Sequence, residues 1–169
     1  MIRISFVLAI ATLFAGQALA QDGTLKKIRD AGAITIGHRD ASVPFSYYDD
    51  KQQPIGYAMD LCHGIVDAIK KEQKLPNLKV NYQLVTSANR IPLMANGTID
   101  LECGSTTNNL ARQEQVWFTI THFVTANRWV AKKSAKINSL NDLKGKTIVS
   151  TAGTTNIKQI TDFNAAQNL

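Results

Sequence analysis

Thr98-Ile99-Asp100-Leu101-Glu102-Cys103 runs directly into Gly104-Ser105-Thr106-Thr107-Asn108-Asn109, so a short strand pattern opens onto a loop of glycine and hydroxyl residues. Open α/β sheets hold ligands at such junctions, beyond the carboxyl ends of their strands. Two other junctions share the layout. Ala33-Ile34-Thr35-Ile36-Gly37 reads as a strand followed by His38-Arg39 and by a loop rich in turn and aromatic residues, Pro44-Phe45-Ser46-Tyr47-Tyr48-Asp49-Asp50. Lys146 to Thr151 reads as a strand, and Ala152-Gly153-Thr154-Thr155 then opens a helix with Ile157, Ile160 and Phe163 on one side. At the Gly104–Asn109 and Ala152–Thr155 loops, which combine glycine with serine and threonine, backbone N–H groups, hydroxyls and a helix dipole can converge on an anion.

Between these junctions strand and helix patterns alternate. Thr24 can cap a short helix that Gly32 stops. Leu61, Cys62, Ile65, Val66 and Ile69 share one face of a helix of about four turns that Pro76 closes off. Leu78, Val80, Tyr82 and Leu84 alternate with polar partners, as in a strand with one buried face. Ser87 can cap a short helix from Arg90 to Asn96, His122 to Lys132 reads as an extended segment, and Ser139 can cap a one-turn helix. Parallel strands need crossover connections, so the alternation predicts an α/β architecture with largely parallel sheets. Residues 24 to about 123 suffice for one compact lobe. The remaining 45 or so are too few to bury a core alone, so they are expected either to pack on the first lobe or to belong to a longer chain.

The chain begins with Arg3, an apolar run from Ile4 to Phe14 and the small-residue sequence Ala18-Leu19-Ala20, the layout of a secretory signal peptide cleaved after Ala20. The apolar run is well short of the ~20 residues that span a bilayer. Removing Arg3 from 19 basic residues leaves 18 against 13 acidic, a net of +5, which favours anionic partners mildly. The lysines sit in ones and twos near the ends of predicted elements, without the clustered, aromatic-interleaved basic surface of a nucleic-acid binder. Cys62-His63 and Cys103 lack the second closely spaced pair that a zinc site needs, so no metal and no cofactor are expected. Two cysteines in an exported chain could pair, but they do not make a disulfide-built scaffold.

Arg39, Arg90 and Arg112 each stand just after a strand or in the first turn of a helix, outside any basic run. Arginine suits bidentate capture of carboxylates. His38-Arg39, Val43-Pro44-Phe45-Ser46-Tyr47-Tyr48-Asp49, Asn89-Arg90-Ile91-Pro92-Leu93 and Glu102-Cys103-Gly104-Ser105-Thr106-Thr107-Asn108-Asn109 with Arg112 closely resemble the glutamate/aspartate-binding branch of the family 3 solute-binding proteins. The likeness runs from about Leu25 to Asn156. It implies a periplasmic-binding-protein-like fold: two α/β lobes, each with a mostly parallel sheet, closing over one amino acid that is handed to the membrane permease of an ABC transporter.

On that resemblance residues 1–20 are the signal peptide, 21–123 lobe one, and 124–169 a hinge strand and part of lobe two, whose remainder would lie beyond Leu169. The resemblance assigns the ligand's α-carboxylate to Arg112, Thr107 and Thr155, part of its ammonium to Ser105, and its side-chain carboxylate to Arg39, Ser87 and Arg90. It implies L-glutamate or L-aspartate as ligand, a periplasmic location, and a monomer at full length. It further implies that Cys103 pairs with a cysteine beyond Leu169; Cys62 matches no feature of the family, and a Cys62–Cys103 bond is possible but not expected, because a helix cysteine and a strand-end cysteine must meet strict geometry.

Two other classes remain open from sequence. A dehydratase-like periplasmic enzyme on the same fold would need a general acid or base in the cleft; Glu102 is the nearby candidate, and its place in a strand beside Cys103 favours a structural role. A ligand-sensing module of a receptor would need a membrane helix or signalling domain further along. The scattered His38, His63 and His122 offer no nucleophile–base pair, so a binding module and not an enzyme is expected.

Overall fold

The computed structural model describes residues 23–167, so the signal-peptide reading of residues 1–20 lies outside the described residues. The chain forms helix α1 (Gly23–Ala31), strand β1 (Ala33–His38), strands β2 (Ala41–Ser42), β3 (Ser46–Tyr48) and β4 (Pro54–Ile55), and helix α2 (Tyr57–Glu72). Strand β5 (Lys79–Leu84), helix α3 (Arg90–Ala95), strand β6 (Leu101–Cys103), helix α4 (Leu110–Gln113) and helix α5 (Thr155–Gln167) follow, with single 3₁₀ turns at Lys133–Ala135 and Leu140–Leu143.

The main sheet has the order β5-β1-β6, with both pairings parallel. In β1, Ile34 and Ile36 alternate onto the face that packs with Met59, Cys62 and Val66 of α2 and with Cys103 of β6. Ile28 of α1 joins the same cluster. Asp100, whose side chain is 3% exposed, ties three elements together: Oδ1 accepts from Lys27 Nζ at 2.7 Å and Oδ2 accepts from Thr35 N at 2.8 Å. The α/β expectation is thereby met, and β1, α2, β5, α3 and β6 stand close to their predicted places.

Several expectations are corrected. The aromatic loop after His38 folds into a small antiparallel sheet, β2-β3-β4, whose turn is held by Asp49 Oδ1 accepting from Lys51 N and Gln53 N. The buried stripe of α2 starts at Ala58 and Met59, which rotates it so that Cys62 and Val66 stay buried while Leu61 is exposed. On β5, Tyr82 and Leu84 remain exposed, because cover ends at Leu78 and Val80. Residues 122–132 and 146–151 form no ladder among the described residues. A strand is defined by a partner, and apolar alternation cannot supply one. Ser87 does not cap α3, whose N-cap Asn89 makes no side-chain cap bond; Thr86 and Asn89 instead close the turn before the helix, with Thr86 N donating to Asn89 Oδ1 at 2.7 Å and Asn89 N to Thr86 Oγ1 at 3.2 Å.

The largest correction is covalent. Cys62 and Cys103 form a disulfide with Cα atoms 6.2 Å apart, against the expectation that Cys103 would find its partner elsewhere. The packing of α2 on the sheet is the reason: Cys62 lies in the core face over the end of β6, within disulfide range.

Candidate functional site

The site begins at the carboxyl end of β1. Arg39 follows the strand, its backbone N–H donates to the buried Ser46 Oγ at 2.9 Å, and its Nη1 donates to Ser87 Oγ at 2.9 Å. Relieved of capping, Ser87 thus becomes a positioning acceptor for a guanidinium. Arg90, in the first turn of α3, is 3% exposed, and its Nε and Nη1 have no hydrogen-bond partner; Arg39 Nε is likewise buried and unpartnered. A buried donor left unsatisfied costs about 1–3 kcal/mol, and more when it is charged. Three such nitrogens on two neighbouring arginines concentrate unmet charged donors, a chemistry that suits an anion. Burial lowers Arg90 to about 10; Glu102 opposes that shift, while Arg112 and Arg39 add to it.

Arg112 is placed by α4, whose cap Asn109 accepts from Arg112 N at 3.0 Å. Its Nη1 donates to Thr107 O at 2.8 Å and its Nη2 to Gly153 O at 3.1 Å, so one guanidinium joins the loop after β6 to the loop before α5. Thr107 and Thr155 meet across the same junction, Oγ1 to Oγ1, at 3.4 Å. Burial lowers the Arg112 pKa and Glu102 opposes the shift. Gly153 lies directly on the backbone of Ser87 and Ala88: a Cβ there would stand 2.6 Å from Ala88 Cα and 2.7 Å from Ser87 O. Phe123 stacks edge-on against Phe45 at 4.8 Å, and Tyr57 donates to His122 O at 3.1 Å, which pins residues 122–123 to the first part of the chain.

Six of the seven predicted residues therefore stand at one junction, in two groups. Arg39, Ser87 and Arg90 form the first; Thr107, Arg112 and Thr155 form the second. Ser105 is exposed and lines, with Thr107, Thr155 and Phe45, a cavity of about 390 Å³. A cavity of about 540 Å³ on the other side of the Gly104–Thr106 backbone is lined by Arg90, Glu102 and Thr106. A cavity of about 710 Å³ lies among Trp129, Leu143, Ile148 and Ile160 and contains none of these residues. It is an incompletely filled core and not a site.

Glu102 is the residue whose part sequence reasoning undervalued. Its Oε2 accepts from Thr106 Oγ1 at 2.8 Å, and its Oε1 is buried without a partner. Burial raises its pKa, against the lowering effects of the Thr106 hydroxyl and of Arg90, Arg39 and Arg112. Gly104 makes this placement possible, because a Cβ there would collide with Glu102 Oε1 and come within 3.1 Å of Arg39 Cγ. The hint in the sequence was a carboxylate two residues before a glycine, at the point where the arginines converge.

Residues 34–167 match the profile of the bacterial extracellular solute-binding proteins, family 3. The chain is 51% identical over 163 residues to the L-glutamate/L-aspartate-binding protein of Pseudomonas aeruginosa, covering 95% of this chain and 54% of that protein. It is 46% identical over 169 residues to the glutamate/aspartate import solute-binding protein of Escherichia coli, covering 96% of this chain and 56% of that protein. The chain thus spans about half the length of the curated relatives it matches. Among solved structures it resembles an ancestral amino acid-binding protein, a precursor of cyclohexadienyl dehydratase, with TM-score 0.69 and 26% identity over 83% of this chain and 60% of that one. The parallel sheet, the ligand-side loops and the family profile agree: this chain belongs to the bacterial extracellular solute-binding proteins, family 3, and has their periplasmic-binding-protein-like fold.

Proposed function

We propose that the chain is the ligand-gripping part of a periplasmic protein that binds L-glutamate or L-aspartate and delivers it to the membrane permease of an ABC importer. One observation carries the reading: Arg90 is buried with two guanidinium N–H groups unpartnered, beside an Arg39 that Ser87 holds in place. Such a pair disfavours a neutral side chain, because an amide offers the unpartnered N–H groups no charged acceptor. In this reading Arg39, Ser87 and Arg90 take the side-chain carboxylate, Arg112, Thr107 and Thr155 the α-carboxylate, and Ser105 part of the ammonium. Residues 21–123 form one lobe and 124–169 begin the other, and cleavage after Ala20 releases the protein outside the cytoplasm as a monomer. The names of the curated relatives describe binding and import, which supports a binding role over catalysis.

Calorimetry with the four ligands glutamate, aspartate, glutamine and asparagine tests this. The dicarboxylic pair should bind far more tightly than the amides. Equal affinity for glutamate and glutamine would overturn the reading.

A further inference from the structure

Glu102 is a carboxylate inside an anion site, and that calls for an account. A site that must attract carboxylates gains nothing from a fixed one, unless the fixed charge can be removed when the ligand arrives. Oε1 is buried and accepts no hydrogen bond, and the N–H groups of Arg90 and Arg39 that lie in the same region donate none. These arginines face Glu102 electrostatically without pairing to it. Among the described residues Thr106 alone grips the group, at the other oxygen, and Gly104 leaves the space in which Oε1 sits. An oxygen held this way can carry a proton with no rearrangement of its neighbours.

We propose that Glu102 is the proton-accepting member of the anion site: when a ligand carboxylate settles between Arg39 and Arg90, Glu102 takes up one proton from solvent, and the ligand's charge replaces its own. This deepens, and rests on, the dicarboxylic reading given above. Like charges at close range cannot both stay ionised in a buried site. The incoming anion therefore raises the Glu102 pKa beyond what burial already does, while Arg39 and Arg90 transfer their compensation to the ligand. The protonated carboxyl can then donate to the carboxylate that displaced its charge.

The other charged or titratable groups around Glu102 are Arg39 with its neighbour His38 at the end of β1, Arg90 on α3, Arg112 on α4, and Asp100 and His122 lining the same cavity. Asp100 is held by Lys27. Cys103 is in the disulfide and does not titrate. The sign follows from proton uptake. The complex holds one more proton than the free protein, so affinity falls as pH rises between the free and the liganded Glu102 pKa, and levels off on either side.

The experiment is calorimetry with L-glutamate from about pH 5.5 to 7.5, a window above the ligand's carboxyl pKa values and below that of an amino group, in two buffers of different ionisation enthalpy. The native protein should lose affinity by up to about tenfold per pH unit within its window, with buffer-dependent heat showing net proton uptake. Glu102→Gln, fixed in the neutral form, should bind without pH dependence and at least as tightly as the native protein at the top of the range. Thr106→Val, which removes the hydrogen bond that lowers the Glu102 pKa, should move the onset of pH dependence upward. Carbon-13 chemical shifts of the Glu102 carboxyl give a second measure, its midpoint rising on saturation with ligand. A pH dependence that persists in Glu102→Gln assigns the proton to His38 or His122 and overturns the proposal. If L-glutamate binds at no pH, the reading under Proposed function fails separately. The Glu102 midpoint is then read with inorganic sulfate, and a midpoint that stays put, or a site that binds no sulfate, overturns the proton claim.

Discussion

Arg90 and Arg112 occupy environments different enough to be told apart by mutation. Arg112 is already engaged by two backbone carbonyls, Thr107 O and Gly153 O, and bridges two loops. Arg112→Ala should therefore weaken every amino-acid ligand. Arg90 is buried with free donors and should act on one ligand carboxylate, so Arg90→Ala should selectively weaken the dicarboxylic ligands. Losing a charge-assisted bond to a buried carboxylate costs on the order of 2–5 kcal/mol; parallel losses across glutamate and glutamine in both variants would refute the division. Glu102 also has a consequence without ligand. A carboxyl whose folded pKa lies above its unfolded value binds more protons in the native state, so its effect on stability is lost as pH rises from the unfolded pKa through the folded one. Glu102→Gln should accordingly melt no lower than the native protein at neutral pH, with the difference fading toward about pH 4. Thermal melts across that range check it.

At the scale of elements, the disulfide joins α2 to the strand that delivers the Glu102–Thr107 loop. It closes a loop of 41 residues. Chain entropy alone makes such a cross-link worth roughly 4 kcal/mol, so Cys62→Ala or reduction should lower the denaturation midpoint markedly, as urea titration would show. Asp100 makes a comparable tie without covalency. Asp100→Ala strands Thr35 N and frees Lys27, and should cost about 2 kcal/mol. These ties mark the limits of sequence reading. The apolar alternation in β1 and the spacing in α2 report burial against a near neighbour, so both elements were legible. The pairing of Cys62 was not, because it depends on which part of the sheet α2 crosses, a long-range fact that the spacing of its own apolar face does not contain. The arginines were legible by type and position as a cluster of cations at the ends of strands and starts of helices. Ser87 was placed in the site by resemblance but given a capping role by local pattern; its hydroxyl accepts from Arg39 Nη1 instead, a long-range partner outside any local pattern. Residues 146–151 read as a strand, yet strand character needs a partner at long range that no local pattern contains.

For the whole molecule, order should divide near residue 124. Before it lie the parallel sheet, the disulfide and the buried cluster. After it, α5 buries no residue fully, Val130 and Val149 are 97% and 90% exposed, and the backbone of 146–151 joins no ladder. Amide hydrogen exchange should be fast from about Ser134 to Thr151 and slow in β1 and β5, and an apolar dye should report the exposed surface. Slow exchange throughout would show a more uniform stability. The two parts nonetheless touch at Gly153, where backbone meets backbone at Ser87 and Ala88 with no room for a methyl group. Gly153→Ala would act as a doorstop: it touches no ligand group and removes no charge, yet it props the two loops apart, so the grip of Arg112 on Gly153 O becomes a measure of how far the door can shut.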